Sequence, residues 1–487
     1  MSNIFEQWFD IPQNTLRGLS ELGITTHWII LQYSIGLLTL AVGLEIIAYR
    51  FEDEVFIEMS KTISKVAVVI FAVGAATGSL SEFGLLLFWP NFLELVGKYY
   101  FIPLYLEVFA FFAEVVFVYM YYYTWEKVSR RFHVSVGIFA LIGVFASSLL
   151  IMSVNTLMSY PPGILATYNP GTGTWVEPQY LLYLPEGGTV IYTSTQLRIL
   201  IASDPDRYHD ILGATVEKKG VFGIVFQSPG SLISGLHAIF SGIVVTIYTG
   251  LGVYIWRYMH AESEKRKNYY FKAIKVMTAL GGIFLVIQGF IGHMVAQNMA
   301  KYNPEKLSAM EGNSDEINSF TDIPIIDKFL SYLAYGNSNA KILPYDSIPS
   351  DYQPPLILHY IYYSKIFLAM ILFVDTLLLG YYLFKRNTLP KWLMKSNLVV
   401  PVIVQLISNF GWITRELGRK PWTIYGVQTV DEAARSSSLP FVYVIGVIMY
   451  CLGLLAGIGS VVWYLFRMTP EAIEEVEEKP ERVIEVA

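Results

Sequence analysis

Several charged residues stand at the end of a long apolar run in residues 411–422. The segment reads Gly-Trp-Ile-Thr-Arg-Glu-Leu-Gly-Arg-Lys-Pro-Trp and includes Arg415, Glu416 and Arg419. Such charges are costly beside lipid, because hydrocarbon solvates neither ions nor hydrogen-bonding groups. Partner side chains or a bound group must therefore satisfy them.

Histidines and carboxylates also lie within apolar runs. His27, His237, His293 and His359 are near the ends of four such runs. An imidazole at this depth can be a partner for a neighbouring side chain, a proton carrier or an axial ligand to a metal or heme. The residues alone leave these roles open, although two widely spaced histidines at one depth favour heme.

Two further pairs have spacings that suit chemistry. Glu107 and Glu114 are seven residues apart, so two helical turns bring them to one face at different depths. Such carboxylates are candidates for proton transfer or cofactor binding, or for salt bridges, and would equally serve a proton-coupled transporter. Lys306 and Glu311 flank an apolar turn in residues 303–312, which taken alone is an ordinary amphipathic helix start with a proline in its first turn.

The composition indicates a membrane protein, with 54% hydrophobic residues, 15% charged residues and a mean hydropathy of +0.46. The net charge of -6 comes partly from an acidic tail, and nothing suggests nucleic-acid binding. The single cysteine, Cys451, excludes a disulfide within the chain and a thiolate metal cluster. A metal would have to use histidine, methionine or carboxylate ligands, or arrive inside a cofactor. The N-terminal residues show no pattern of a cleavable signal.

The apolar runs predict an all-α integral membrane protein with about nine transmembrane helices. The predicted spans are 24–49, 62–88, 101–124, 134–158, 231–257, 271–299, 356–384, 395–415 and 439–466. Lysine and arginine concentrate after the first, third, fifth and seventh spans, which places the N-terminus outside and the C-terminus inside. The long connections that follow the fourth and sixth spans then face outward.

These features divide the chain into six segments. They are residues 1–160 with helices 1–4, the outer-loop insertion 161–230, residues 231–299 with helices 5–6, the second outer loop 300–355, residues 356–467 with helices 7–9, and the acidic cytoplasmic tail 468–487. Alternating apolar residues such as Thr189-Val190-Ile191-Tyr192 predict a few short strands between residues 180 and 225.

The motifs resemble those of subunit I of the cytochrome bd-type quinol oxidases. Residues 411–422 look like the family signature Gly-Trp-x-x-x-Glu-x-Gly-Arg-x-Pro-Trp, and Gly292 to Gly312 resembles the quinol-loop motif that ends in Lys-Leu-x-Ala-Met-Glu-Gly. Shorter matches include Arg17 with His27 and Asn155-Thr156-Leu157-Met158 before Pro161. The resemblance covers nearly all the predicted spans but leaves out most of 163–230 and the acidic tail.

The resemblance implies an oxygen site with two hemes. His27 and Glu416 would each ligate a heme iron there, and Arg419 would neutralise heme propionates. Arg17 and Trp412 would accompany this heme cluster. The implied cofactors are a low-spin heme b of the b558 type, a high-spin heme b of the b595 type, and heme d or a heme b that replaces it.

The resemblance also implies an electron path and a proton path. His237 would be an axial ligand of the low-spin heme, and Lys306 and Glu311 in loop 300–355 would hold and deprotonate the quinol. Glu107 would stand beside the oxygen-reducing hemes, with Glu114 deeper on a proton path from the cytoplasm. The implied partners are oxidase subunit II or a second subunit-I-like chain, membrane quinol, oxygen and the bilayer of a prokaryotic plasma membrane.

Three departures set this chain apart from the family pattern. Where an arginine, an apolar residue and a heme-ligating methionine are expected, the chain has Lys365-Ile366-Phe367. We predict that Met370 replaces the methionine; other possibilities are His359, a five-coordinate heme or no heme. The spacing of Glu107 and Glu114 is seven residues where eight is usual, and His293 stands where the motif has aspartate.

Two other hypotheses remain open. The chain could be a divergent paralogue that supports a true subunit I without catalysis, which Phe367 favours. It could also be a proton-coupled transporter that uses the same buried carboxylates.

Overall fold

The computed structural model describes residues 8–96, 101–317, 320–457 and 459, and most of these residues are helical. The helices are α1 Gln13–Phe51, α2 Glu54–Phe88, α3 Pro90–Val96, α4 Phe101–Tyr123, α5 Arg130–Ser159, α6 Ser194–Ser203, α7 Pro205–Gln227, α8 Ser231–His260, α9 Glu264–Tyr302, α10 Pro304–Glu311, α11 Pro324–Tyr335, α12 Ile357–Gly380, α13 Lys391–Asn397, α14 Val400–Leu417, α15 Val430–Ala433 and α16 Phe441–Gly457. The strands are β1 Trp8–Asp10, β2 Tyr168–Asn169, β3 Thr174–Trp175, β4 Gln179–Tyr183, β5 Thr189–Thr193, β6 Trp422–Ile424, β7 Gln428–Thr429 and β8 Ser438–Pro440.

The prediction of an all-α membrane protein is confirmed. Within the described ranges, 8 helical segments are long and apolar enough to cross a membrane. They are Gln13–Phe51, Glu54–Phe88, Ile102–Tyr123, Arg130–Ser159, Ser231–His260, Glu264–Tyr302, Ser350–Arg386 and Lys391–Leu417. The ninth predicted span begins as the shorter apolar helix α16, and its last part and the tail 468–487 lie outside the described residues. Which ends face outward stays a prediction.

The helix ends differ from the predicted ones. Helix α1 begins at Gln13 and α2 at Glu54, well before the apolar runs start. The predicted span 395–415 is divided between α13 and α14, with Pro401 in the first turn of α14. Proline has no N–H to donate, so the first turn is the part of a helix that tolerates it.

The chain forms two compact units. The first contains Met1–Ile30, Val69–Trp89 and Arg435–Ala487. In this unit, α1, α2 and α16 meet around Tyr450, whose ring lies against Gly23 and Gly84. A side chain at either glycine would collide with that ring. Strands β1 and β8 pair antiparallel in the same unit.

The second unit contains Leu31–Val68 and Pro90–Ala434. Its helix pairs α4 with α5, α8 with α9, and α12 with α14 make extensive contacts. A buried polar network joins three of its helices: His133 Nδ1 lies 2.7 Å from Glu45 Oε1, and the Tyr121 hydroxyl donates to Glu45 Oε2 at 2.8 Å. Because every member has a partner, this network is compatible with its burial.

The insertion 161–230 is only partly the strand region that the sequence predicts. Strands β4 and β5 form an antiparallel hairpin, which confirms a strand at residues 189–193. The prediction is wrong beyond Thr193, because the chain continues as α6 and α7. Thr193 and Gln196 form a capping box that starts α6, and the Asp204 side chain caps α7 just before Pro205. These caps satisfy the first free N–H groups and so favour helix over strand.

Close packing of α1 against α8 provides a stability test. A Cβ at Gly36 would collide with Thr246 Oγ1 and lie 2.6 Å from the carbonyl oxygen of Gly242, whereas a Cβ at Gly43 has nothing within 4 Å. We expect Gly36→Ala to cost about 1–3 kcal/mol, because the two helices must move apart. Thermal unfolding in detergent, followed by size-exclusion chromatography, should show a lower midpoint for Gly36→Ala. The matched control Gly43→Ala should keep the wild-type midpoint, and equal midpoints for both variants would contradict this packing.

Candidate functional site

The carboxylate of Glu416, at the end of α14, is held by donors on both oxygens. Asn155 Nδ2 on α5 donates to Oε1 at 2.9 Å, and Arg419 Nη2 donates to Oε2 at 2.6 Å. The Arg419 side chain is 5% exposed. The charges that the sequence places at the end of an apolar run therefore have partners within the protein.

Arg415 extends this cluster and gives it an excess of positive charge. Its guanidinium donates to Asn155 Oδ1 and, at 3.0 Å, to Thr156 Oγ1. One asparagine thus binds both the cation Arg415 and the anion Glu416. The buried Nε of Arg419 has no hydrogen-bond partner among the described residues. Two arginines against one glutamate, with a donor to spare, fit an additional anionic group such as a heme propionate.

Lys306 lies directly against the same cluster. Its Nζ donates to the carbonyl oxygen of Arg415 at 3.1 Å, and its Cε would be 2.5 Å from a Cβ at Gly418. Only glycine therefore leaves room for the lysine at this place. Burial, together with the nearby positive charges of Arg415 and Arg419, lowers the pKa of Lys306 to about 7. The lysine can therefore change protonation state near neutral pH.

Helix α10, which carries Lys306, is fixed at both ends. The Asn303 side chain accepts from the N–H of Lys306 at 3.2 Å, and Gly312 ends the helix with a φ of +66°. The ring of His359, on α12, lies 3.0 Å from the carbonyl oxygen of Met310 and packs against Gly312. A side chain at Gly312 would collide with this ring. The sequence pattern suggests an ordinary amphipathic helix, but seven of the eight residues of α10 are buried.

Glu311, at the end of α10, is a buried carboxylate that has one donor among the residues the structure describes. The Tyr363 hydroxyl donates to Oε2 at 2.6 Å, and the residue is 4% exposed. Burial raises the pKa of Glu311 to about 7, against the smaller opposing effect of the tyrosine hydrogen bond. The carboxylate is therefore suited to accept or release a proton near neutral pH.

Two histidines that the sequence singles out have environments suited to ligation. The Thr77 hydroxyl donates to backbone carbonyls of its own helix, so it accepts from His27 Nδ1 at 3.1 Å and leaves Nε2 with a free lone pair. His237 Nδ1 is buried with no hydrogen-bond partner in the described part of the chain. Gly78 and Gly292 pack against the rings of His27 and His237, respectively. Both imidazoles thus fit heme ligation.

The pair Glu107 and Glu114 shares one face of α4, as the spacing predicts. Ser147 on α5 donates to Glu107 Oε1 at 2.7 Å. One turn away on α5, Gly143 packs against the backbone of Glu114, which is 5% exposed. Both carboxylates therefore face α5.

Comparison with known proteins identifies the chain. The sequence profile of cytochrome bd terminal oxidase subunit I matches residues 17–472. The chain belongs to this family. It is a heme-bearing subunit I of a quinol oxidase that reduces oxygen, and it works with a partner oxidase subunit in a membrane.

Individual relatives agree with this assignment. A putative cytochrome bd menaquinol oxidase subunit I of Bacillus subtilis (strain 168) is 24% identical over 464 residues, which span 91% of this chain and 94% of the relative. Cytochrome bd ubiquinol oxidase subunit 1 of the same organism is 23% identical over 472 residues, 90% of this chain and 89% of the relative. The solved bd oxidase of Geobacillus thermodenitrificans has a TM-score of 0.68 at 22% identity, covers 94% of this chain and 99% of its own, and therefore shows the same fold.

The structure also gives the positions of the remaining residues that the sequence assigns to heme binding. Met370 is 63% exposed and Phe367 is 64% exposed, whereas Leu372 and Thr376 are on the buried side of α12. Met370 as the second axial ligand of the low-spin heme stays a prediction. Arg17 lies on α1, in the first unit with His27, and Trp412 lies on α14 one turn before Glu416.

The sequence did not predict two buried residues of this subunit I that link segments of the site to one another. Asn155 appears only within a short motif match, with nothing in its local pattern to show that it bridges Arg415 and Glu416. Glu305 precedes Lys306 and reads as an ordinary acidic residue in the first turn of a helix. It is in fact 0% exposed.

The bridging role of Asn155 can be tested by substitution. We expect Asn155→Leu to lower stability by about 1–3 kcal/mol and to weaken heme retention, because it leaves Arg415 and Glu416 each short of a buried partner. Thermal unfolding and heme content of the purified oxidase measure both effects. Asn409→Leu is the control, since it removes only a hydrogen bond with Gln405 within α14. Equal behaviour of the two variants would exclude a special role for Asn155.

Proposed function

We propose that this subunit oxidises a membrane quinol at helix α10 and passes the electrons to hemes held by His237, His27 and Glu416. The contact between Lys306 and the segment of Glu416 carries this proposal. The lysine donates to the carbonyl oxygen of Arg415, the residue directly before Glu416, and lies against Gly418. Quinol-binding and heme-binding segments of the family motifs are therefore in van der Waals contact.

At the quinol end, Glu311 takes a proton and Lys306 donates a hydrogen bond to a quinol oxygen. Both groups have a pKa of about 7, so neither is locked in one charge state near neutral pH. The Tyr363 hydroxyl fixes the orientation of the Glu311 carboxylate. This arrangement supports proton release on the side of loop 300–355, which the predicted topology places outside.

At the heme end, protein side chains supply ligands and charge. His27 presents Nε2, and Glu416 presents a carboxylate whose position Asn155 and Arg419 determine. Arg419 and Arg415 neutralise propionates, and we assign Arg17 and Trp412 to heme binding from their motif matches. Heme, when bound, accepts single electrons and activates oxygen. We assign the hemes as b558-type, b595-type and either heme d or a heme b in its place.

Protons for oxygen reduction travel by way of Glu114 and Glu107. Both carboxylates face α5, and Ser147 adds a hydroxyl beside Glu107. We place their source in the cytoplasm of a prokaryotic cell, with the chain in the plasma membrane. The partner is a subunit II or a second subunit-I-like chain. The names of the relatives include both menaquinol and ubiquinol oxidases, so the proposed substrate class is a membrane quinol.

A non-catalytic paralogue is the second candidate, and Phe367, at the position of the family's heme-ligating methionine, favours it. Phenylalanine has no atom that can ligate iron, so the proposed oxidase depends on Met370 as the second ligand. This candidate lacks a low-spin heme, whereas the proposed oxidase holds one through His237.

Absorption spectra separate the two candidates. We expect reduced-minus-oxidised spectra of the purified complex to show a low-spin b band that disappears in His237→Ala, because the axial ligand is lost. Met370→Leu, made in parallel, should weaken or shift the same band, because Met370 is the proposed second axial ligand. A wild-type complex without the band would support the paralogue, and a band that survives in His237→Ala would exclude the ligand assignment.

The proton role of Glu311 predicts a pH dependence. A base with a pKa of about 7 is protonated at lower pH, so kcat/KM for quinol should fall as the pH drops below about 7. We expect Glu311→Gln to lower kcat/KM by about a hundredfold or more and to abolish this acid limb. Steady-state quinol oxidation between pH 5.5 and 8.5, roughly the range around this pKa, measures both. Tyr363→Phe, which keeps the carboxylate, should retain the limb at a higher pH, and an acid limb that persists in Glu311→Gln would contradict the assignment.

A further inference from the structure

The carboxylate of Glu305 joins three distant segments of the chain. Glu305 is on α10, next to Lys306, and is 0% exposed. Trp175 Nε1 donates to Oε1, and the Tyr425 hydroxyl donates to Oε2 at 2.7 Å. Trp175 belongs to the hairpin β2–β3 in the insertion, and Tyr425 lies between β6 and β7, just after the signature segment. Burial raises the pKa of Glu305 to about 7.

These segments are also bound to one another. The Tyr180 hydroxyl in β4 donates to the carbonyl oxygen of Tyr425 at 2.6 Å. The Tyr168 hydroxyl in β2 donates to the carbonyl oxygen of Lys341, in the segment between α11 and α12, at 2.8 Å. The ring of Trp175 packs edge-on against Tyr352, at 5.4 Å between centroids. The insertion therefore contacts the quinol loop at several points.

The position of Glu305 on α10 separates it from the quinol residues. It precedes Glu311 by six residues, which correspond to a rotation of about 240 degrees on an α-helix. Glu311 is bound by Tyr363 of α12, whereas Glu305 is bound by the insertion and by the β6–β7 hairpin. A buried carboxylate is stable only while its donors stay in place. The two sets of contacts thus hold α10 on faces about 120 degrees apart.

We propose that the insertion 163–230 is a clamp for the quinol site and that Glu305 is its positioning residue. The clamp keeps α10 in the orientation in which Lys306 and Glu311 bind quinol, so this inference rests on the proposed function of α10. When the clamp is weakened, a smaller fraction of molecules has a competent site, and apparent affinity falls by that fraction. The chemistry after binding is unchanged, because Glu305 does not contact quinol.

Conservative substitutions in the intact oxidase complex test the clamp. Tyr425→Phe removes one donor and keeps the ring, and Trp175→Phe removes one donor and replaces the indole with a smaller aromatic ring. We expect each to raise KM for quinol by roughly threefold to tenfold, with kcat within about twofold of wild type and unchanged heme spectra. Glu305→Gln keeps a hydrogen-bonding side chain and should be milder than Glu305→Leu. Val176→Ala is the matched control, since Val176 follows Trp175 and is 41% exposed.

Opposite outcomes would overturn the clamp. Wild-type KM in both Trp175→Phe and Tyr425→Phe would show that the donors do not position α10. A fall in kcat at constant KM would show a chemical role for Glu305 instead. The Glu311→Gln variant, measured in parallel, separates this inference from the proposed function: quinol oxidation that survives in Glu311→Gln refutes the site itself. If Glu311→Gln loses quinol oxidation but Trp175→Phe keeps the wild-type KM, only the clamp is refuted.

Discussion

The need to neutralise buried charge at the end of α14 determines how the second unit is arranged. Glu416, Arg415 and Arg419 need partners, because they lie buried where an apolar helix ends. Removing one partner of a buried ion pair lowers the free energy of unfolding by about 3–5 kcal/mol. Asn155 brings α5 to this cluster, and Lys306 brings α10. Three segments far apart in sequence are thereby fixed together, and the residues assigned to quinol and to heme become neighbours.

The sequence predicts the membrane helices well, because their signal is a sum over many apolar residues. It predicts their ends poorly, since the ends depend on single caps and on contacts beyond the bilayer. Helix α1 starts at Gln13, ahead of its apolar run, and α6 replaces the expected strands after the Thr193 capping box. After Thr193, the hydrogen bonds of the capping box outweigh the alternating pattern that predicts a strand.

The motif residues of the site could be found in the sequence, but their partners could not. Glu416, Lys306 and Glu311 lie in long motifs, whereas Asn155 and Trp175 reach the site only through the fold. Met370 shows a related limit. Its spacing from Phe367 indicates that the two share a helix face, but not which face of α12 is buried, and that face proves to be the exposed one.

The contact of His359 with Gly312 has a consequence for the loop between them. The chain leaves α10 at Gly312 and returns, at the start of α12, to a ring that touches the same glycine. Residues 313–358 therefore form a loop whose two ends meet at the contact between Gly312 and His359. Because the entropy cost of closing a loop grows only with the logarithm of its length, closing this long loop costs little more than closing one of half its length.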